Sequence, residues 1–156
     1  MQKTKKPLRR PTPEEQVVLD QMSVPEVRPE EIARFNRHLE REHFLKSAQL
    51  VGQHLRYVAT WQGGWLALAS WSAPALHLKD RDAFIGWTPE QRRQRLALVV
   101  NNSRLLILPD CHYPNLASRF MKLMLGRLAQ DWQRVWKHPV ALAETFVDAQ
   151  LYQGTA

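Results

Sequence analysis

The sequence is short of almost everything that announces a known chemistry. It has one cysteine, Cys111, so no disulfide can close within the chain, and zinc sites that need paired thiolates are excluded. His38 and His43 stand five apart, not at the four-residue spacing that places two ligands on one helical face, so no metal site is expected. There is no Walker loop, no dinucleotide fingerprint and no nuclease-like spacing of paired carboxylates. No apolar run approaches the roughly 20 residues of a membrane span, and the lysines at the start are not followed by the apolar stretch of a secretory leader. These absences predict a cytoplasmic protein with no membrane contact. Acid is also missing at the start, where Lys3, Lys5, Lys6, Arg9 and Arg10 all precede the first acidic residue, Glu14.

What is present fits one domain. The chain has 156 residues, 44% of them hydrophobic, with six tryptophans, which is enough for a real core and too apolar for a disordered chain. The formal charge is +7, and most of the excess lies in the proline-punctuated start. Residues 1–12 therefore read as a disordered basic arm with affinity for phosphate, and 13–156 as one folded domain.

Hydrophobic periodicity supplies the elements. Thr12, Pro13, Glu14 and Glu15 form a capping-box start to a short helix with Val17, Val18 and Met22 on its apolar face. A second helix begins near Pro29, carries Ile32, Phe35 and Leu39 inward and Arg34, Arg37, Glu40 and Arg41 outward, and continues through Phe44, Leu45 and Ala48 to Gly52. From Leu55 the period drops to two. Leu55–Trp61 and Trp65–Trp71, joined by Gln62, Gly63 and Gly64, predict an antiparallel hairpin whose second strand is central because it is apolar on both faces. Ser72 to Gly86 reads as an irregular surface loop with a charged patch at Lys79, Asp80, Arg81 and Asp82. Thr88, Pro89, Glu90 and Gln91 repeat the capping box for a helix from about Pro89 to Val99, with Arg92, Arg93 and Arg95 exposed. A buried strand over Ser103–Leu108, a long helix carrying Leu116, Phe120, Leu123, Met124, Leu128 and Trp132, a stop at His138 and Pro139, and a strand over Val140–Val147 complete the order.

That order predicts an α/β (α+β) fold, a mixed and mostly antiparallel sheet flanked by helices. It is similar to the core of the GNAT N-acyltransferases. The resemblance implies an acyl-CoA site between the central strand and the following helix. That family uses a glycine-rich turn there to reach pyrophosphate, whereas Pro109 to Arg119 contains no glycine and Pro114 removes a donor.

Three groups of residues are candidates for function. In the last strand Glu144 shares a face with Val140, Leu142 and Phe146, and burial in such a row would raise its pKa and make it a general base; the alternative is an ion pair with an arginine such as Arg104. The loop Pro109–Asn115 offers His112 for proton transfer or phosphate binding and Cys111 as a nucleophile if the helix start favours its thiolate, with Asn115 as N-cap and Ser118 in the first turn. Asn101, Asn102, Ser103 and Arg104 suit a base edge, a phosphate or a carboxylate, or a plain turn before the strand. Arg92 and Arg93 are a further phosphate-contact candidate, against the alternative of a solvated helix face.

The segments FIGW (84–87), VVNNSRLLILP (99–109), PNLAS (114–118) and ETFVD (144–148) resemble the DruA family, named for the Druantia anti-phage system, whose relatives also occur near transposase genes. The likeness runs from about Arg34 to Ala156 and implies a prokaryotic defence or mobile-element setting, with other proteins of such systems as partners. Members of that family continue past the last strand, so the resemblance implies a chain lacking the C-terminal part of the family domain. With the basic arm and the arginines of the third helix, the leading expectation is a defence or transposition component that contacts DNA or RNA and needs no cofactor. An acyl-CoA-dependent N-acyltransferase with Glu144 as base, and an inactive fragment, are the alternatives.

Overall fold

The computed structural model describes residues 8–43 and 45–146. The first seven residues, Phe44, and 147–156 lie outside the description, so the start of the basic arm and the end expected of the last strand lie there too. Strands β1 (His54–Trp61) and β2 (Gly64–Ser72) form the hairpin that alternation predicted. Gln62 (φ 49°) and Gly63 (φ 77°) both take left-handed backbone, the turn geometry whose twist matches the strands it joins. Strand β3 (Val99–Ile107) pairs antiparallel with β2, and β4 (Leu142–Thr145) runs parallel to β3, giving the sheet order β1-β2-β3-β4. A parallel pair cannot be joined by a tight turn, and the crossover is the long helix α5 (Leu116–Trp136). The result is the mixed, mostly antiparallel sheet with flanking helices that the element order predicted.

Each sheet face buries a different set of residues. On α5, Leu116, Phe120, Met124, Leu128 and Trp132 recur every fourth residue, so they fall along one stripe. That stripe packs on Leu55, Tyr57 and Ala59 of β1, Ala67, Ala69 and Trp71 of β2, and Val100 of β3. Helix α1 (Pro13–Gln21) adds Val18 and Leu19 to this core and is started by the predicted capping box, in which Thr12 Oγ1 accepts from the Glu15 N–H and the Glu15 carboxylate accepts from the Thr12 N–H. On the other face, Phe35 and Leu39 of α2 (Ile32–Glu42) pack on Val58, Trp65, Leu68 and Leu108. The free edge of β1 is covered by the segment that follows α1, through bridges Ser23 to Thr60 and Glu26 to Tyr57.

The structure departs from the sequence-based expectation in several places; the last strand, for one, covers Leu142–Thr145 and not the start of the expected Val140–Val147. Helix α2 stops at Glu42 instead of running to Gly52, with His43 in extended backbone, and Arg104 on β3 then holds the following chain by the carbonyls of Ser47 and Gln49. The stretch read as an irregular loop contains helix α3 (Lys79–Ile85), ended by Gly86 in left-handed conformation, and Arg81 within it is buried, not solvated. Helix α4 (Pro89–Arg95) is shorter than expected, since Val99 and Val100 are buried in β3, which begins four residues earlier than Ser103. Asn115 precedes α5 as expected, but with φ 68° its side chain makes no cap; asparagine tolerates that left-handed backbone.

A buried polar link ties α5 to the sheet. The Tyr57 hydroxyl donates to Asp131 Oδ2 at 2.7 Å, Arg127 Nε donates to the same oxygen, and Arg127 Nη1 donates to the Val24 carbonyl at 2.8 Å. Burial, reinforced by Asp131, pushes the Tyr57 phenol above its ordinary range, so it stays a donor at any accessible pH. Replacing Tyr57 by Phe removes one hydrogen bond to a charged group and is expected to cost about 2 kcal/mol of stability. Urea unfolding measures this, and an unchanged midpoint would show that the hydroxyl contributes nothing.

Candidate functional site

Strand β3 carries Asn101, Asn102, Ser103 and Arg104 into the middle of the sheet, where an unpaired polar group is costly. A bulge resolves most of the cost. Ser70 pairs with Arg104 and Trp71 with Asn102, so Ser103 has no partner of its own in the ladder. Asn102 spans the irregularity, its Nδ2 donating to the carbonyls of Ser70 (3.0 Å) and Arg104 (2.9 Å). The Ser103 hydroxyl sits 2.8 Å from that of Ser70 and 2.7 Å from that of Ser72, a chain of three hydroxyls. The Arg104 guanidinium is spent on backbone carbonyls of Ser103, Ser47 and Gln49.

Glu144 on β4 is the register partner of Asn101, so the two side chains leave the same face of the sheet. The sequence expectation of an apolar row around Glu144 is corrected here: Leu142 and Phe146 are exposed, and Glu144 is desolvated by helix α3 instead. Its Oε1 accepts from Arg81 Nη1 at 3.3 Å, and that arginine, not Arg104, is its ion-pair partner. Arg81 has a side chain only 4% exposed, and it also donates to the carbonyls of Ala75 and Leu76 and to Asp82. Asp82 in turn accepts from Trp87 Nε1 (2.9 Å), the Leu78 N–H and Arg92 Nη1 (3.3 Å). A relay of charges therefore runs Arg92, Asp82, Arg81, Glu144.

Three atoms at this cluster are buried yet make no hydrogen bond among the described residues: Glu144 Oε2, Asn101 Oδ1 and Arg92 Nε. Burial pushes the Glu144 carboxyl above the usual carboxylate range, with Arg81 pulling the other way. Two adjacent acceptor oxygens without a donor suit a proton kept on the carboxyl or an N–H or O–H group of a bound molecule.

The other candidates collect at the far end of β3. A cavity of about 260 Å³ at the start of α5 is lined by Leu8, Arg9, Ile107 and the loop from His112 to Ser118, so it gathers the predicted His112, Asn115 and Ser118. Arg9 there forms a two-pronged pair with Glu15 and holds that carboxyl down to about 2. Cys111 packs between the two cores, and burial, with Asp110 beside it, pushes its thiol up, away from the thiolate that a nucleophile needs. From Asn101 to Ile107 is roughly 20 Å along an extended strand. Glu144 and His112 therefore stand at opposite ends of β3 and do not face one reacting atom.

The family model for Druantia protein DruA matches residues 3–154, nearly the whole chain. The chain belongs to the DruA family. Neither a curated protein nor a solved structure matches it, so a likeness to GNAT acyltransferases rests on element order alone. Membership in DruA supports a part in an anti-phage system of the Druantia type. No described helix is long and apolar enough to cross a membrane.

Of the four segments that carry the DruA resemblance, three meet at the Glu144 cluster: Trp87 from the first, Asn101 and Ser103 from the second, Glu144 from the last. The fourth, beginning at Pro114, starts α5 at the other end. The structure adds Arg81 and Asp82, expected in a surface patch, Ser70, expected in the apolar central strand, and Ser72, expected at the start of an irregular loop. One signal for them was present, since Asp82 and Trp87 bracket the turn of the FIGW segment. Arg92 reaches the cluster as a structural partner of Asp82, whereas Arg93 stands exposed.

The raised Glu144 pKa has a signed consequence. A carboxyl whose folded pKa lies above its unfolded value binds more protons when folded, so its contribution to stability falls as pH rises through that window. Wild type is therefore expected to gain stability relative to Glu144→Gln as pH is lowered from 7 towards 5. Melting curves of the two proteins across that range would run parallel if the carboxyl were not desolvated.

Proposed function

We propose that this DruA-family chain contacts nucleic acid within its anti-phage system, in keeping with the transposase-associated setting of its relatives. The observation that carries the reading is how the charges are divided. Internal ion pairs occupy acids such as Glu15, Glu26, Glu31, Asp82, Asp131 and Glu144. Exposed bases such as Arg10, Arg93 and Arg95 have no carboxylate partner among the described residues. Bases such as these leave positive charge on the surface of a chain whose formal charge is +7, as a polyanion requires. The cavity at the start of α5 supports the same reading through His112, Asn115 and Ser118, the charge of its Arg9 being taken up by Glu15. The acyltransferase reading has less support, since Glu144 lies far from the loop that would hold acyl-CoA.

Fluorescence anisotropy with labelled single- and double-stranded DNA and RNA tests the proposal. Binding is expected at 50 mM salt and should weaken linearly in a log–log plot as salt rises. A variant with Lys3, Lys5 and Lys6 changed to Gln should bind several-fold more weakly with a shallower salt dependence. No binding of any nucleic acid at 50 mM salt, together with a rise in melting temperature on adding acetyl-CoA, would reverse the choice between the two readings.

A further inference from the structure

Helix α2 buries Phe35 and Leu39 and turns the opposite side to solvent. Arg34, Arg37 and Arg41 recur on that side at three- and four-residue spacing, all exposed, over about 10 Å of helix axis. Lys46 continues the row beyond the helix end, its Nζ donating to the Arg41 carbonyl at 2.6 Å. The loop that carries it is held in place by Arg104, which grips the carbonyls of Ser47 and Gln49.

The nearby acids offset this row only in part. Glu31 pairs with Arg28, and Glu40 and Glu42 border the stripe without forming an ion pair with any of its arginines, so four cations, Arg34, Arg37, Arg41 and Lys46, face two carboxylates on α2. Beneath the row, the Arg34 guanidinium stacks 4.1 Å from the centre of the Trp65 ring. This holds one cation of the row against the sheet and covers an aromatic ring that is itself 7% exposed.

We propose that the outer face of α2, with Lys46, is the surface on which this protein seats the phosphate backbone of double-stranded DNA. The inference rests on the nucleic-acid reading above and assigns it a place that neither the basic start of the chain nor the arginines of α4 supply. A rigid helix holding three or four cations in a line matches a rod that carries one negative charge per ~1.7 Å of axis. Single strands are held by stacking their bases on open aromatic faces, and the rings beside this row, Trp65 and Phe35, are buried. The match is therefore to a duplex backbone and carries no base-sequence preference.

The test compares two double variants of equal net charge by anisotropy with a random-sequence DNA duplex at 50, 100 and 200 mM salt. Arg37→Glu/Arg41→Glu alters the row, and Lys122→Glu/Lys137→Glu alters exposed positions on α5 and at its end. All four side chains are exposed, and circular dichroism checks that both variants remain folded. The α2 variant is expected to bind at least tenfold more weakly at 100 mM salt, with the log–log slope reduced by about two, and the α5 variant to stay within threefold of wild type. Glu40→Gln should tighten binding. Equal losses in both variants, or wild-type affinity in the α2 variant, would overturn the assignment while leaving nucleic-acid binding standing. A loss seen with poly-glutamate as ligand and not with DNA would give the face to an acidic protein instead. Absence of binding by wild type to any nucleic acid would overturn the functional reading itself.

Discussion

A polar sequence crosses the interior of the sheet, and much of the structure is arranged to satisfy it. Asn101 and Asn102 lie in β3 between β2 and β4, and Ser103 and Arg104 continue the strand beside β2, all buried or half-buried where a polar group needs a partner. The bulge at Ser103 places its hydroxyl beside those of Ser70 and Ser72, Asn102 stitches the broken ladder, and Arg104 reaches out to fix the chain beyond α2. Polar groups in a core add little net stability, yet each one left unpaired is expensive, so they select one arrangement among many.

The same constraint leaves a remainder at the β3–β4 pair. Glu144 and Asn101 meet across the parallel ladder, Arg81 satisfies only one carboxylate oxygen, and two acceptors stay without donors. Three of the four segments that resemble the DruA family supply residues of this cluster. The cavity at the start of α5 is a separate place, a strand's length away, and the outer face of α2 is a third. The charge relay through Arg92, Asp82 and Arg81 joins α3 and α4 to the sheet edge, so the arginines of α4 divide into one that holds the fold and others that face solvent.

Much of the fold was legible in the sequence because it depends on local signals. Thr12 and Thr88 with their partners three residues on are capping boxes that need no tertiary help, and Gln62-Gly63 supplies a hairpin turn by backbone preference alone. The four-residue stripe of α5 shows its buried face directly. The site was legible only in part. Glu144 stands out as a carboxylate in an apolar row, and the Asn-Asn-Ser-Arg run as a polar cluster at the start of an apolar strand. Arg81 and Asp82 do not, because a charged run in a helix of seven residues looks the same on paper whether it faces water or a buried carboxylate.

By itself, the sequence determined the hairpin, the capping boxes that start α1 and α4 and the amphipathic crossover helix, each encoded within a short stretch of neighbouring residues, and also the family, whose model matches residues 3–154. Only the tertiary structure decided which charges are spent and which remain. Arg81, Arg92 and Arg104 are consumed by Glu144, Asp82 and backbone carbonyls, while Arg34, Arg37 and Arg41 are left facing water. The reason is physical: an ion pair forms between residues as far apart as 81 and 144, and its strength is set by burial and distance, neither of which is a property of a residue type.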